Sequence, residues 1–393
     1  MKKKISTRRV PVYRDAAFDL RDADTTVAAF DADSENPLEI KDFIYSRYRN
    51  PTVMAVEERL AALEGAAWAF LTQSGMAAID TALSVFQEAG RERPWLFFSE
   101  IYGGTNTFID EVLVRRRGIT VHRFSGAKDH YDLEVLQRML EELHPALLYF
   151  EAVSNPMLTV ADGQQVIRMA KEAGAAVIID NTFATPYLWK PLDDGADLVV
   201  HSATKYLSGH GNMLAGVVCG RDRALAGEVN VYRKLTGHLL PPDEAARLGD
   251  QMLTFSLRME RHCHNAMQVA RLLAQHPSVE KVYFPGLEDH PTHAEALRLF
   301  GGRGYGGMVT FDMAGGDDEE KRSNRDRFIR SVAEEITLMP TLGNTETTLL
   351  PIEAVWGDQY PGAGMIRMSV GIEETEELKE VIRKGLEGEK KDE

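Results

Sequence analysis

The chain has 393 residues, enough for two or more subdomains and a large core. Hydrophobic residues make up 44%, and 45 basic against 60 acidic residues give a formal charge of −15, which argues against non-specific binding to nucleic acid or to an anionic membrane. Two cysteines make a disulfide framework unexpected and fit a reducing cytoplasm; no apolar stretch reaches membrane-spanning length, and the N-terminus lacks the apolar core of a signal peptide.

In chain order, the first 50 residues read as irregular and polar, with one small apolar knot, "VPVYRDAAF", expected to dock on something else. A helix follows. Asn50 can cap it, Pro51 suits its first position, Val53, Val56, Leu60 and Leu63 repeat at helical spacing, and Gly65 closes it. From there to about residue 220, short apolar runs alternate with helical patterns. "AAWAFLT", "RPWLFF", "ALLYFEAV", "AAVIID" and "DLVVHS" read as buried strands, with helices such as "DGQQVIRMAKEAG" between them. The alternation predicts an α/β fold, a mainly parallel sheet flanked by helices. A long amphipathic stretch, roughly 242–274, should link to a smaller C-terminal α+β domain whose strands include "VEKVYFPGL", "GGMVTFDM" and "MIRMSVGIE". "GGRGYGG" lacks a strand-to-helix setting and reads as a turn before a strand. "GGDDEEKRSNRDR" reads as a solvated loop or helix end, and 387–393 as a charged tail.

Ligands of such sheets bind beyond the carboxyl ends of the strands, so the polar residues there are the candidates for chemistry. In "FLTQSGMAAID", Ser74, Gly75 and Met76 open a helix whose N–H groups and dipole favour a phosphate, with a plain helix cap as the alternative. In "AAVIIDNTFATP", Asp180 follows five apolar residues and needs a partner, water or a turn to cap. In "DLVVHSATKY", the hydroxyls of Ser202 and Thr204 can donate to a phosphate. Lys205 can form a Schiff base where its surroundings favour the neutral amine; a surface lysine is the alternative. Together these features match what pyridoxal 5'-phosphate requires: a lysine for the aldehyde, an acid for the ring nitrogen and donors for the phosphate. An acid at Asp180 would keep that nitrogen protonated, because a nearby opposite charge favours the charged form.

The stretches "YSRYRNPT", "SGMAAI", "YGGT", "SNPML", "DNTFATP", "HSATKYLSGHG", "RMERHCHNA", "PGL" and "IRMSVGIE" extend the pattern over about residues 11–371. With them the chain resembles the Cys/Met-metabolism family of PLP enzymes, which includes cystathionine γ-synthase, cystathionine γ- and β-lyases, methionine γ-lyase and O-acetylhomoserine sulfhydrylase. The resemblance implies the PLP-dependent transferase fold type I, with an arm at 1–51 contacting a neighbouring subunit, a PLP-binding domain at 52–241 and a C-terminal domain with its linking helix at 242–393. It implies that Lys205 is the Schiff-base lysine and general base, and that Asp180 pairs with the ring nitrogen. Ser74, Gly75, Met76, Ser202 and Thr204 would hold the phosphate. Tyr102 would stack on the ring and protonate the leaving sulfur. Tyr45 and Arg47 would reach the neighbouring subunit's phosphate, giving shared sites in a dimer of dimers. Asn155 would lie near the ring oxygen and the substrate carboxylate, Arg367 would bind that carboxylate, and Thr341 would keep a hydroxyl near Lys205.

Departures from the family pattern bear on the substrate. Pro340 stands where cystathionine γ-synthases and γ-lyases often carry glutamate, Gly104 where methionine γ-lyases carry cysteine, and Leu342 where some bacterial β-lyases carry tryptophan; Asn212 replaces a frequent aspartate. The N-terminal segment is also shorter than usual. His262, Cys263 and His264 fall on one predicted helix, point to different sides and lack a partner pair at zinc spacing, so no metal site is expected. His201, His210 and His238 read as structural. The expected function is carbon–sulfur chemistry at the γ-carbon of a sulfur amino acid, of the cystathionine, methionine or homocysteine γ-lyase type. γ-Elimination to 2-oxobutyrate, ammonia and a thiol is preferred over γ-replacement on an O-acylhomoserine. A non-catalytic PLP-binding regulatory protein is the remote alternative, opposed by the presence of Lys205, Asp180 and Arg367.

Overall fold

The computed structural model of the chain describes residues 11–126, 130–357, 360 and 362–387. The first ten residues of the expected arm, and 388–393 of the expected charged tail, lie outside them. Two sheets carry the chain. The first contains β1 (Trp68–Thr72), β2 (Trp95–Phe98), β3 (Val121–Phe124), β4 (Leu147–Glu151), β5 (Ala176–Asp180), β6 (Leu198–Ser202) and β7 (Gly216–Gly220), in the order β1-β7-β6-β5-β4-β2-β3. All neighbours in it are parallel except those of β7, which runs against both β1 and β6. All five expected strands are present. β3 and β7 are additions that short, weakly marked runs did not announce.

Successive strand residues point to opposite faces. In β2 the neighbours Phe97 and Phe98 are both fully buried. The sheet is therefore covered on both sides, which is why its strands read as unbroken apolar runs rather than alternating ones. Each such side chain contributes about 1.5–3 kcal/mol on burial.

The helix Pro51–Glu64 forms as expected: the Asn50 side chain accepts from the N–H groups of Thr52 and Val53, and Gly65 closes it in a left-handed conformation. The reading of the first 50 residues as irregular needs correction. Ala23–Glu35 is a helix, capped by Asp22, whose side chain accepts from Thr25 N–H. It buries only Ala29 and Asp33, so it shows no apolar stripe; alanine content and a good cap make it instead.

The amphipathic stretch at 242–274 is two helices, Pro242–Gln251 and Phe255–Ala274, joined by a 3-10 turn. Beyond it lies the second sheet: β8 (Val279–Tyr283), β9 (Met308–Met313), β10 (Thr337–Leu338), β11 (Thr348–Pro351) and β12 (Met365–Ser369), ordered β10-β11-β12-β9-β8. Only β10 and β11 pair in parallel. The glycine-rich 301–307 is indeed a turn leading into β9. The charge run is mostly helix, Asp318–Ser331, capped by Asp317.

Candidate active site

The carboxyl ends of β4, β5 and β6 lie side by side. Glu151 is opposite Asp180 in the ladder, and Asp180 is opposite Val200. The register thus gathers an acid, a second acid and the lysine loop at one edge. Above that edge lies a cavity of about 230 Å³, lined among others by Ser74, Gly75, Met76, Tyr102, Asn155, Asp180, Ser202, Thr204, Lys205 and Arg367. Ten of the predicted site residues therefore meet in one place. Thr341 joins them by a hydrogen bond to Lys205.

At the phosphate end, the ten-residue helix Gly75–Ser84 aims its N-terminus into the cavity, capped by Ser74 Oγ, which accepts from Ala77 N–H at 3.1 Å. A Cβ on Gly75 would fall 2.8 Å from Ser202 Cβ, so this helix start approaches the end of β6 that closely only as glycine. Free N–H groups at a helix start beside the Ser202 hydroxyl form a donor set that fits a phosphate. Thr204 lines the same end, but its hydroxyl is engaged with Ala215, donating to the carbonyl at 3.2 Å and accepting from the N–H at 3.0 Å.

Asp180 is buried, and burial raises its carboxyl above the usual range. It is nevertheless well supplied with donors. Oδ1 accepts from the Thr182 hydroxyl at 2.5 Å and the Thr182 N–H at 3.0 Å, and Oδ2 from the Tyr149 hydroxyl at 3.4 Å. These bonds favour its charged form, which is the form that would pair with a protonated ring nitrogen.

Lys205 Nζ donates to Thr341 Oγ1 at 3.0 Å. Burial, and after it the Arg367 guanidinium, lowers its ammonium from 10.5 to about 8. The shift raises the neutral fraction near pH 7 from well under 1% to about a tenth, which eases nucleophilic and base chemistry. Its loop is held from below by the helix Phe255–Ala274: Arg258, buried in that helix, donates to the carbonyls of Tyr206 at 2.7 Å and Leu207 at 3.0 Å.

The opposite end is built from the second sheet. Arg367, on β12, is buried; it donates to Asn155 Oδ1 at 3.1 Å and to the Thr341 carbonyl at 3.3 Å. Its Nε is buried without a hydrogen-bond partner among the described residues, and its guanidinium lies 5.6 Å from the Trp356 ring centroid. β9 anchors the Asn155 loop, since Thr310 Oγ1 donates to the Pro156 carbonyl at 2.7 Å. Tyr102, Asn155, Pro340 and Arg367 also line a wider cleft of about 870 Å³ that includes Glu100, Trp356 and Tyr360. The inner cavity therefore opens into the outer cleft past Arg367.

Two predicted residues are not brought in. Tyr45 and Arg47 are exposed and line neither cavity; Arg47 instead donates to the Lys234 carbonyl at 2.9 Å. Of the departures, Asn212 lies away from the cavity, bonded to Gln251 and Arg247. Gly104 lies under the half-exposed Tyr102 ring, where a Cβ would come within 2.4 Å of it. The histidines are elsewhere: His201 pairs with Glu64 at 2.8 Å beneath the sheet, His238 bonds Thr81 at 3.0 Å, and His262 bonds the Val370 carbonyl at 2.7 Å.

Several lining residues escaped the sequence reading. Glu151 accepts from Tyr102 N–H at 2.6 Å and ends an apolar run just as Asp180 does, so the same signal could have found it. Thr182 stands two residues after Asp180, in a stretch already singled out. Trp356 had no comparable signal, because its neighbours arrive from distant segments.

Residues 1–387 match the family model for Cys/Met metabolism PLP-dependent enzymes. The chain is 35% identical to the L-methionine gamma-lyase of Pseudomonas putida, over 96% of this chain and 92% of that protein. It is 36% identical to a cystathionine beta-lyase of Lactococcus lactis subsp. cremoris, over 88% and 89%. Among solved structures, cystathionine gamma-lyase from Lactobacillus plantarum complexed with L-serine superposes with a TM-score of 0.81 at 30% identity, covering 96% of this chain and 93% of that one.

Proposed function

Because the chain belongs to the Cys/Met metabolism PLP-dependent enzyme family, we propose that it catalyses γ-elimination from a sulfur amino acid. Carbon–sulfur lyase chemistry is what the relatives it resembles are named for; the position of the bond broken is the finer reading. With L-homocysteine and water, the products are 2-oxobutyrate, ammonia and hydrogen sulfide.

One observation carries the proposal. The partly buried amine of Lys205, its ammonium lowered to about 8, lines the inner cavity, which shares Tyr102, Asn155, Pro340 and Arg367 with the outer cleft. γ-Elimination needs a base that acts first at Cα and then at the adjacent Cβ, and one flexible amine reaches both. The cleft beyond Arg367 leaves room for a γ-substituent. Pro340, in its wall, offers no charge to a distal amino group, which favours a small thiol as leaving group.

When bound, pyridoxal 5'-phosphate supplies an electron sink for the negative charge left at Cα. The residues divide the remaining work. Asp180 holds the ring nitrogen in its protonated form, and the helix start at Gly75 with Ser202 holds the phosphate. Arg367 grips the substrate carboxylate, for which its unpaired Nε and planar fork suit it, and Asn155 fixes that fork. Lys205 moves the protons at Cα and Cβ. Tyr102, at the rim shared by both spaces, gives its hydroxyl proton to the departing sulfur.

Shared sites complete the reading. Among the described residues, Lys205 and Arg367 are the cations lining the inner cavity; Lys205 would serve the cofactor's aldehyde, and Arg367 lies at the far end. The phosphate dianion then calls for a further cation, which the exposed Arg47 of a neighbouring copy would supply.

Product analysis by mass spectrometry tests the proposal. The PLP-loaded enzyme given L-homocysteine should yield 2-oxobutyrate and hydrogen sulfide. A folded, loaded enzyme that forms no 2-oxo acid from it would favour γ-replacement on O-acylhomoserine. Pyruvate from cystathionine would mark β-elimination instead.

A further inference from the structure

We infer that Glu151 is a positioning residue: as a neutral acid it holds the Tyr102 backbone and leaves Asp180 as the one negative charge at the ring-nitrogen end of the cavity. The inference rests on the cofactor reading of this cavity.

The geometry begins with the ladder. Glu151 and Asp180 end neighbouring parallel strands at the same level, opposite one another, both buried and both lining the cavity. Neighbouring strands are about 4.8 Å apart. The register brings the two side chains to the same face, where burial and the Asp180 charge both oppose a second charge on Glu151. No lysine or arginine hydrogen-bonds to either carboxyl among the described residues; the basic group that acts on Asp180 is His201 on β6, which itself pairs with Glu64 at 2.8 Å. The groups whose charge or polarity meets Glu151 are Asp180 on β5, Tyr149 on its own strand, Tyr131, Tyr360 and the Tyr102 backbone. Lys205 and Arg367 line the same cavity but bond to Thr341 and to Asn155.

The two acids differ in their supply of donors. Asp180 accepts three hydrogen bonds, two at Oδ1 and one at Oδ2. Among the described residues Glu151 accepts one, from Tyr102 N–H. A carboxyl with more donors keeps its charge, so the shared proton belongs on Glu151. Burial and the Asp180 charge push the Glu151 carboxyl well above the usual range, in agreement.

The bond to Tyr102 gives the neutral acid its second effect. Tyr102 is the residue from which the helix Gly103–Phe108 starts, and its own side chain makes no capping bond. Glu151 thus holds the N–H side of the backbone from which the Tyr102 ring projects, while the Tyr102 carbonyl accepts from Thr105 and Asn106 N–H. A glutamine at 151 reproduces a neutral acid: it keeps the acceptor and adds no charge. An alanine removes the acceptor, and an aspartate is one methylene too short to reach.

The test uses the PLP-loaded enzyme and two substitutions. Infrared difference spectra of parent against Glu151→Gln, at neutral pH, should show a protonated carboxylic acid carbonyl band in the parent alone. Glu151→Gln should keep the visible circular dichroism of the bound cofactor and turn over within about threefold of the parent, because the retained bond is uncharged. Glu151→Ala should weaken that dichroism and lower turnover on the order of tenfold or more through displacement of Tyr102. Absence of the carbonyl band, or a Glu151→Gln enzyme as impaired as Glu151→Ala, would overturn the neutral-acid assignment. Parent-like dichroism and rate in Glu151→Ala would overturn the positioning role. Should Glu151→Ala not fold, Glu151→Asp answers the same question. A parent without cofactor absorbance would instead strike at the cofactor reading itself.

Discussion

At the inner end of the cavity, Glu151, Asp180 and Ser202 terminate three adjacent strands of one sheet. At the outer end, Arg367 comes from the second sheet, while Thr341, Pro340 and Trp356 come from segments around it. Backbone hydrogen bonds set the spacing of the inner groups, so a local stretch of chain dictates where each acid or amine stands. The outer groups meet only because two sheets pack together, and contacts such as Arg367 to Asn155 span 212 residues. An inner end built this way suits chemistry that must not vary. An outer end assembled from separate segments lets the substrate change without disturbing the reaction centre.

Substitutions at the two ends should therefore separate rate from recognition. The largest effect is expected at the inner end: Lys205→Ala should lower turnover by about 10²–10⁴-fold, with the cofactor's lysine-linked absorbance gone and the fold retained by thermal melting. Near-parental turnover there would break the comparison outright. At the outer end, Arg367→Ala should raise KM on the order of 30-fold, about 2 kcal/mol, and leave the absorbance of the bound cofactor unchanged. A fall in kcat with unchanged KM would move Arg367 out of the recognition role.

The pH dependence of cofactor capture sharpens the inner half. Lys205 must be neutral to attack the aldehyde, and its ammonium is lowered from 10.5 to about 8. Stopped-flow absorbance of the cofactor-free protein mixed with PLP should show capture rising about tenfold per unit at low pH and levelling above about 8, because the neutral fraction then saturates. A rise continuing to 10 would mean an unshifted lysine. The smallest effect belongs to the outer wall: Trp356→Ala removes a cation–π contact of about 0.5–1 kcal/mol and should raise KM some two- to fivefold.

The same contrast explains how much could be read from the chain. Asp180 and Lys205 were legible because each follows an apolar run that only a buried strand explains. Their neighbours Ser202 and Thr204 came with them. Glu151 sends the same signal from "LLYFE" and was passed over as part of a strand. The helix Ala23–Glu35 was missed because it buries only Ala29 and Asp33, so it lacks the stripe that marks a helix. β10, two residues long, leaves no period to detect. Arg367 was placed through resemblance rather than pattern. Trp356, which stacks on it, was not placed at all, since nothing near residue 356 in the chain shows what packs there.

The central claim is that the amine beside Thr341 is the one that holds the cofactor. Borohydride reduction of the loaded enzyme, followed by peptide mass spectrometry, tests it most directly. The account predicts the reduced pyridoxyl adduct on Lys205, with the Lys205→Ala protein unlabelled. A label on any other lysine, or equal labelling of the variant, would contradict it.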